Sequence, residues 1–291
     1  MKKAFLYIAA AAALFAGCAK EADKKVDENT GKVYTITAVV DNEETRTFTY
    51  FDETSGKFQF EWVVGETIAV LPAETVNSPL PFEYADGGND VFTYTAAQGE
   101  QEYTSFNVAV SPYSAVVPGS TYDSYSLVLS GNYTQGESNA VMVAGTPSGT
   151  EGNYKFSFKH AAAIVKVSYS TIPDNAVALV FSTPDQAIVG DWAFDANSTT
   201  PVTIVASGEV NADNNCARVT YNPDLSDTDF YLPIPTGQYQ TFIVKLVDED
   251  GETIPGSDKT FVASAPFTVN RAVVVRCPVS GDYYRGYSAI E

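Results

Sequence analysis

Chemistry has few places to reside in this chain. Its 291 residues include one histidine, His160, and three cysteines, Cys18, Cys216 and Cys277, against 36 acidic and 17 basic side chains. A Ser/His/Asp triad or a multi-histidine metal site would have to use His160. That residue continues the alternation Phe156, Phe158, His160 and so shares a face with two phenylalanines. A histidine there is a packed core residue rather than a reactive base. Cys216 and Cys277 lack the C-x-x-C spacing of a zinc site. In an exported chain they are free to pair, and their positions leave open one disulfide or two separate thiols. Two carboxylates suffice to hydrolyse a glycoside, yet nothing selects a pair among so many. Asp248-Glu249-Asp250-Gly251-Glu252 and Asn211-Ala212-Asp213-Asn214-Asn215 are rich in oxygen ligands for Ca²⁺. Neither has the spacing of a calcium-binding loop, and both read as solvated turns. Gly-rich phosphate loops are missing as well. The residues therefore describe a non-enzyme with no metal and no cofactor.

Cys18 stands apart from the other two. Lys2 and Lys3 precede an apolar run over residues 4–16, and Ala16 and Gly17 precede the cysteine. The run is too short for a membrane-spanning helix, which needs about 20 residues. A positive start, a short apolar middle and a small-residue exit mark a cleaved export signal. Leu14-Phe15-Ala16-Gly17-Cys18 resembles a lipobox, with Phe15 where leucine is commoner. The resemblance implies cleavage before Cys18 and acylation of its thiol. Each buried acyl CH₂ contributes roughly 0.8 kcal/mol, so more than one chain is needed for stable anchoring. Residues 1–17 are then a signal, and residues 18–32, polar and without apolar period, an acylated cysteine on a flexible tether. Ala19 rather than aspartate follows the cysteine, which is compatible with the outer membrane and the cell surface.

The formal net charge is −19, and loss of Lys2 and Lys3 makes it two units more negative. So acidic a surface repels phosphate backbones, which argues against nucleic acid as a partner. It also argues against a broad contact with anionic lipid, so the anchor is the acyl group and not a basic patch. Valine, threonine, tyrosine and phenylalanine are plentiful, which is strand composition. Short apolar or alternating runs at 33–40, 57–62, 67–71, 91–95, 105–110, 125–129 and 140–144 are separated by joints rich in Gly, Pro, Asn and Asp. A second series follows at 154–159, 163–169, 176–182, 203–206, 217–221, 230–232, 239–247 and 272–279. Asp250-Gly251 after the longest of these is a hairpin turn pair. No window carries a helical stripe. The chain reads as all-β, with two tandem β-sandwiches over 33–151 and 152–291, divided at Ser148-Gly149-Thr150-Glu151-Gly152-Asn153.

Three segments carry a family resemblance. The first runs Glu44-Thr45-Arg46-Thr47-Phe48, Gly56-Lys57-Phe58, Trp62 and Gly65-Glu66-Thr67-Ile68-Ala69-Val70, with Glu66 where aspartate is commoner. The second is Phe156-Ser157-Phe158-Lys159-His160-Ala161-Ala162-Ala163-Ile164-Val165-Lys166-Val167, and the third Tyr231-Leu232-Pro233-Ile234-Pro235-Thr236-Gly237. In this order, behind a lipobox, they resemble the fimbrillin or Mfa-like family, pilin-type lipoproteins of Bacteroidetes.

The resemblance implies two transthyretin-like β-sandwiches and a fimbrial subunit that supports adhesion. Its partners would be other fimbrial subunits, the outer membrane through the lipid, and a host or bacterial surface ligand. In polymerising members a protease cuts after an arginine near the first strand, and a strand from another subunit fills the groove. Strand addition of this kind takes affinity from backbone hydrogen bonds and register from alternate side-chain pockets. Arg46 is the matching residue here, either a cleavage site or a structural arginine at a strand end. Val273, Val275 and Cys277 alternate as a donor strand would, and equally as the last strand of an ordinary sandwich. The competing functional class is a non-polymerising surface lipoprotein that binds glycan or another ligand, for which 18 tyrosines offer stacking surfaces.

Overall fold

The structure, a computed structural model, describes residues 31–40, 50–52, 57–59, 62–74, 78–85, 90–117, 125–137, 139–194 and 209–279. In chain order the strands begin β1 (Val33–Val40), β2 (Tyr50–Asp52), β3 (Lys57–Gln59), β4 (Thr67–Pro72), β5 (Leu80–Tyr84) and β6 (Val91–Thr95). They continue β7 (Phe106–Ser111), β8 (Tyr125–Leu129), β9 (Asn132–Thr134), β10 (Met142–Ala144), β11 (Tyr154–His160) and β12 (Ala163–Ser168). The last are β13 (Ala178–Ser182), β14 (Gly190–Phe194), β15 (Cys216–Thr220), β16 (Asp229–Ile234), β17 (Gly237–Val247), β18 (Lys259–Val269) and β19 (Val274–Pro278). A single 3₁₀ turn, Tyr113–Ala115, is the only helical piece among the described residues. The chain is all-β, as its composition requires.

Seven strands close a barrel in the order β1-β11-β10-β7-β4-β5-β6, with β6 returning to β1. The expected sandwich over the first half is thus a sheet closed on itself. Closure removes the open edges that a sandwich would leave. The interior holds Ile36, Ile68, Val70, Phe82, Phe92, Phe106, Phe156 and Phe158, all nearly inaccessible. β4 reads Thr-Ile-Ala-Val-Leu-Pro without polar alternation because both of its faces are covered. Ile68 and Val70 face the barrel interior. Ala69 and Leu71 face a second cluster with Val108, Val110, Leu127, Leu129 and Trp192. The last three belong to the β8–β14 ribbon, which lies on the barrel's outer wall.

The rest is a sandwich. A three-stranded sheet, β16-β12-β19, packs on a five-stranded one, β18-β17-β13-β15-β9. Val165, Val167, Phe230, Leu232 and Cys277 of the first meet Leu179, Phe181, Val219, Tyr239, Phe242 and Val244 of the second.

The expected division lies between residues 151 and 152, just before β11. β11, expected to open the second half, pairs in parallel with β1 and antiparallel with β10, so it belongs to the barrel. The turn at 148–153 is a hairpin tip, with Ser148 and Lys155 exchanging backbone hydrogen bonds. The halves are also interleaved, since β9 pairs with β15 and β8 with β14 across the division. The strand expected at 203–206 lies outside the described residues.

Candidate functional site

β1 is the strand that the resemblance expects to be exchanged, and its sequence alternates for a physical reason. Tyr34, Ile36 and Ala38 point inward and are buried, whereas Val33 and Thr35 are exposed. The strand is held from both sides. Val33 to Thr37 pair antiparallel with Thr95 to Val91 of β6, and Ile36 to Val40 pair in parallel with Tyr154 to Phe158 of β11. Its removal would leave β6 and β11 as two facing unpaired edges, with the aromatic interior between them.

Two clasps hold its ends. At the C-terminal end the Trp62 indole N–H donates to the Ala38 carbonyl at 3.3 Å. Its ring stands edge-on to Phe92 and Phe158, with centroids 4.7 and 5.9 Å away. The Ala38 N–H donates to Asp90 O at 2.8 Å. At the N-terminal end the Tyr34 hydroxyl accepts from the Tyr103 N–H at 2.9 Å. Lys32 lies 3.5 Å from Glu102 and 3.7 Å from Glu151, and 5.1 Å above the Tyr34 ring. These exposed ion pairs contribute little individually.

Behind Tyr34 sits a carboxylate that sequence reading does not single out. Glu100 accepts from the Tyr94 hydroxyl at 2.6 Å, the Tyr103 hydroxyl at 2.7 Å and the Ala97 N–H at 2.7 Å. The Tyr94 hydrogen bond above all holds the Glu100 carboxyl below its ordinary range. Burial first, and Glu100 second, push the Tyr94 and Tyr103 hydroxyls up. The only local signal is Gly99, whose positive φ of 80° turns the chain before Glu100.

The predicted site residues fall out separately. Cys18 and Arg46 lie outside the described residues. Val273 immediately precedes β19, while Val275 and Cys277 are 5% and 0% exposed and point into the sandwich core. β19 pairs in parallel with β12, so in the single chain it is the last strand of its own sandwich. Cys216 and Cys277 are both free thiols. They cannot meet without rearrangement, because Cys277 faces the core while Cys216 is on the outer face of the opposite sheet. Burial raises both thiols above their ordinary range, and in Cys216 the nearby Lys245 opposes it. His160 is buried in β11, opposite Met142. In the acidic turn, Asp248 Oδ1 accepts from the Asp250 and Glu252 N–H groups. Asn211 Oδ1 does the same for Asp213 and Asn214.

No protein-family model matches the chain, and no curated protein matches it. Solved structures do. A protein of Bacteroides ovatus, provisionally assigned to cell adhesion, superposes with a TM-score of 0.50 at 11% identity, covering 90% of this chain and 96% of its own. A fimbrial protein of the same species gives a TM-score of 0.31 at 14% identity, covering 87% of this chain and 49% of its own. The tip fimbrial protein Mfa3 of Porphyromonas gingivalis, with C-terminal truncation, gives 0.33 at 12% identity, covering 88% and 99%. The structural neighbours of this chain are thus cell adhesion and fimbrial proteins of Bacteroidetes, and what it shares with the first of them is the all-β fold over nearly its whole length.

Proposed function

We propose that the chain is a fimbrial subunit or fimbrillin-like surface lipoprotein that supports adhesion, anchored to the outer membrane through acylated Cys18. The observation that carries this reading is β1 itself. It is a stave of a closed barrel, it lies next to the N-terminal tether, and it precedes Arg46. Seven strands of the second half supply most of the two-sheet sandwich, and the transthyretin-like reading is proposed for that half, beside the closed barrel of the first. The names of the structural neighbours support a place at the cell surface among other fimbrial subunits, and support a role other than catalysis.

In the assembly proposed, cleavage after Arg46 leaves β1 held only by hydrogen bonds and packing. Its departure opens a groove between β6 and β11. A strand of another subunit then enters with three inward residues at i, i+2 and i+4. Val273, Val275 and Cys277 have the spacing of Tyr34, Ile36 and Ala38. Donation by that segment requires β19 to leave its own sandwich, so the acceptor groove must return the burial lost at Val275 and Cys277. The second reading, a non-polymerising lipoprotein that binds glycan or another ligand, keeps β1 in place and Arg46 uncut.

Intact mass and N-terminal sequencing of the surface-exposed protein separate the two. A start at Thr47, lost in Arg46→Ala, together with a ladder of heat-sensitive oligomers on gels, supports the subunit reading. A whole chain beginning at acylated Cys18 leaves strand exchange without its trigger and favours the ligand-binding reading.

A further inference from the structure

The outer face of the five-stranded sheet differs from the rest of this acidic molecule. Register fixes which side chains share it. Leu179, Phe181, Ala217, Val219, Phe242 and Val244 point into the core. Their neighbours along the strands therefore point out. Lys245 of β17 and Arg218 of β15 flank Val180 of β13 in one cross-strand row. In the next row Ile243 stands between Thr260 and Ser182, with Cys216 beyond. Val262 stands opposite Thr241. Ile243 and Val262 are 36% and 62% exposed, two of only five large apolar residues so exposed among the described residues. None of the strand positions named is acidic, in a chain with 36 carboxylates; exposed Asp258 lies just off the edge, one step beyond the Val244–Lys259 pair. Arg218 and Lys245 have no ion-pair or side-chain hydrogen-bond partner among the described residues. Strands are about 4.8 Å apart, so the two cations stand on the order of 10 Å from each other across Val180.

The same hairpin carries a feature of opposite sign. Three residues beyond Lys245, β17 runs into Asp248-Glu249-Asp250-Gly251-Glu252. The turn is rigid: Asp248 N donates to Glu252 O at 3.1 Å, Gly251 N to Asp248 O at 3.0 Å, and the Asp248 carboxylate accepts from two N–H groups. That use of Asp248 leaves Glu249, Asp250 and Glu252 exposed on a fixed knob.

We propose that this face docks a second copy of the chain, the acidic knob of each copy resting on the Arg218–Lys245 face of the other. Knob and face adjoin on one strand, so reciprocal placement about a two-fold axis satisfies both at once and closes the pair. Ile243 and Val262 supply apolar contact at its centre. The contact uses neither β1 nor a cleaved terminus, so it forms in the unproteolysed chain and is independent of the strand exchange proposed above.

The test is a charge swap read by sedimentation velocity. It uses the intact exported chain carrying Cys18→Ser, so that acyl groups add no association. At physiological ionic strength the Debye length is about 8 Å, so contact charges act while the long-range repulsion of two anionic copies is largely screened. The wild-type chain is expected to dimerise with concentration. Arg218→Glu with Lys245→Glu, and separately Glu249→Lys with Asp250→Lys, are each expected to weaken dimerisation about tenfold. The two variants mixed are expected to recover it as a heterodimer. The knob variant is the sharper of the two. It makes the chain less acidic, so an effect of net charge alone would strengthen association instead. A wild-type chain that stays monomeric overturns the proposal. So does a knob variant that dimerises as well as wild type, or a mixture that recovers nothing. Binding of an acidic polysaccharide that is lost in the Arg218/Lys245 variant, with dimerisation unchanged, assigns the face to glycan and overturns it too.

Discussion

Ile36→Ala tests whether β1 is a structural stave of the barrel. Ile36 is 1% exposed and pairs with Phe92 on one side and Tyr154 on the other. Truncation of a buried isoleucine to alanine costs about 2–5 kcal/mol, and the cost rises with the cavity that survives relaxation. In a closed barrel β1 is pinned by both neighbours and cannot settle inward, so the expected loss is in the upper part of that range, about 3–4 kcal/mol. Against a total stability of roughly 5–15 kcal/mol, that is a large fraction. Val33→Ala is the internal control. It changes a β-branched residue of the same strand that is 57% exposed, and surface changes of this kind stay within about 0.5 kcal/mol. Urea unfolding followed by Trp62 fluorescence, in a Trp192→Phe background, reads the barrel, because Trp62 packs on Phe92 and Phe158 beside β1. If Ile36→Ala costs no more than Val33→Ala, β1 does not close the barrel and its loss would open no groove.

Four further outcomes follow from the geometry. Glu100, its carboxyl held low chiefly by Tyr94, contributes stability that is present above its unfolded range and lost as pH falls through its lowered value. Glu100→Gln should flatten the acid limb of a urea-midpoint profile. Tyr94 and Tyr103 act at the opposite end, because their hydroxyls stay protonated in the folded chain after the unfolded chain has ionised. Stability should therefore fall above about pH 10, and less steeply in Tyr94→Phe. Asp185 Oδ2 accepts from both the Gln240 and Thr241 N–H groups at 2.7 Å, where the β17–β18 register shifts. Asp185→Ala should cost about 1–3 kcal/mol and speed hydrogen exchange at those two amides. Under native conditions iodoacetamide should reach Cys216 slowly and Cys277 only on unfolding, since Cys277 is fully buried. Peptide mass mapping checks this, and addition of a reductant should leave the urea midpoint unchanged.

Most strand positions were legible because one face of each is buried, so apolar residues recur with period two. β1, β6, β11, β13 and β17 all fall within a few residues of where that alternation puts them. β5, read Leu-Pro-Phe-Glu-Tyr, escaped notice although its burial alternates cleanly, because Pro81 argues against a strand. β18 escaped because its edge position exposes most of its length and Pro266 interrupts it. β9 and β14 are too short or too mixed to carry a period. The expected division between halves rests on a different signal. The Gly-rich turn at 148–153 is a real break in the chain, but a hairpin tip and a domain boundary have the same local chemistry. Only long-range pairing, here Ile36 with Tyr154, tells them apart. The Trp62 end of the β1 socket was visible in the aromatic motif. The Glu100 end was not, since a carboxylate bound by two tyrosines looks in sequence like any surface acid.

If strand exchange occurs as proposed above, the topology favours the first strand over any other as the one removed. In both halves the first strand pairs in parallel with the last, β1 with β11 and β12 with β19. Parallel partners cannot be joined by a hairpin, so each half closes on a contact between residues far apart in sequence, the kind whose loop-closure entropy is met last. The two seams are otherwise unlike. β12 lies between β16 and β19, and the chain continues from both its ends into other strands, so no single cut would release it. β1 is the first strand among the described residues, and a cut between β1 and β2 severs its link along the chain to β2 and the strands beyond. After such a cut the proposed lipid anchor and β1 would stay together on one side, and the barrel with the whole second half on the other. Only the pairings with β6 and β11, the two clasps and three inward side chains would then hold the two parts together. A strand exchange confined to β1 would thus release the subunit from its anchor and open its acceptor groove in one event.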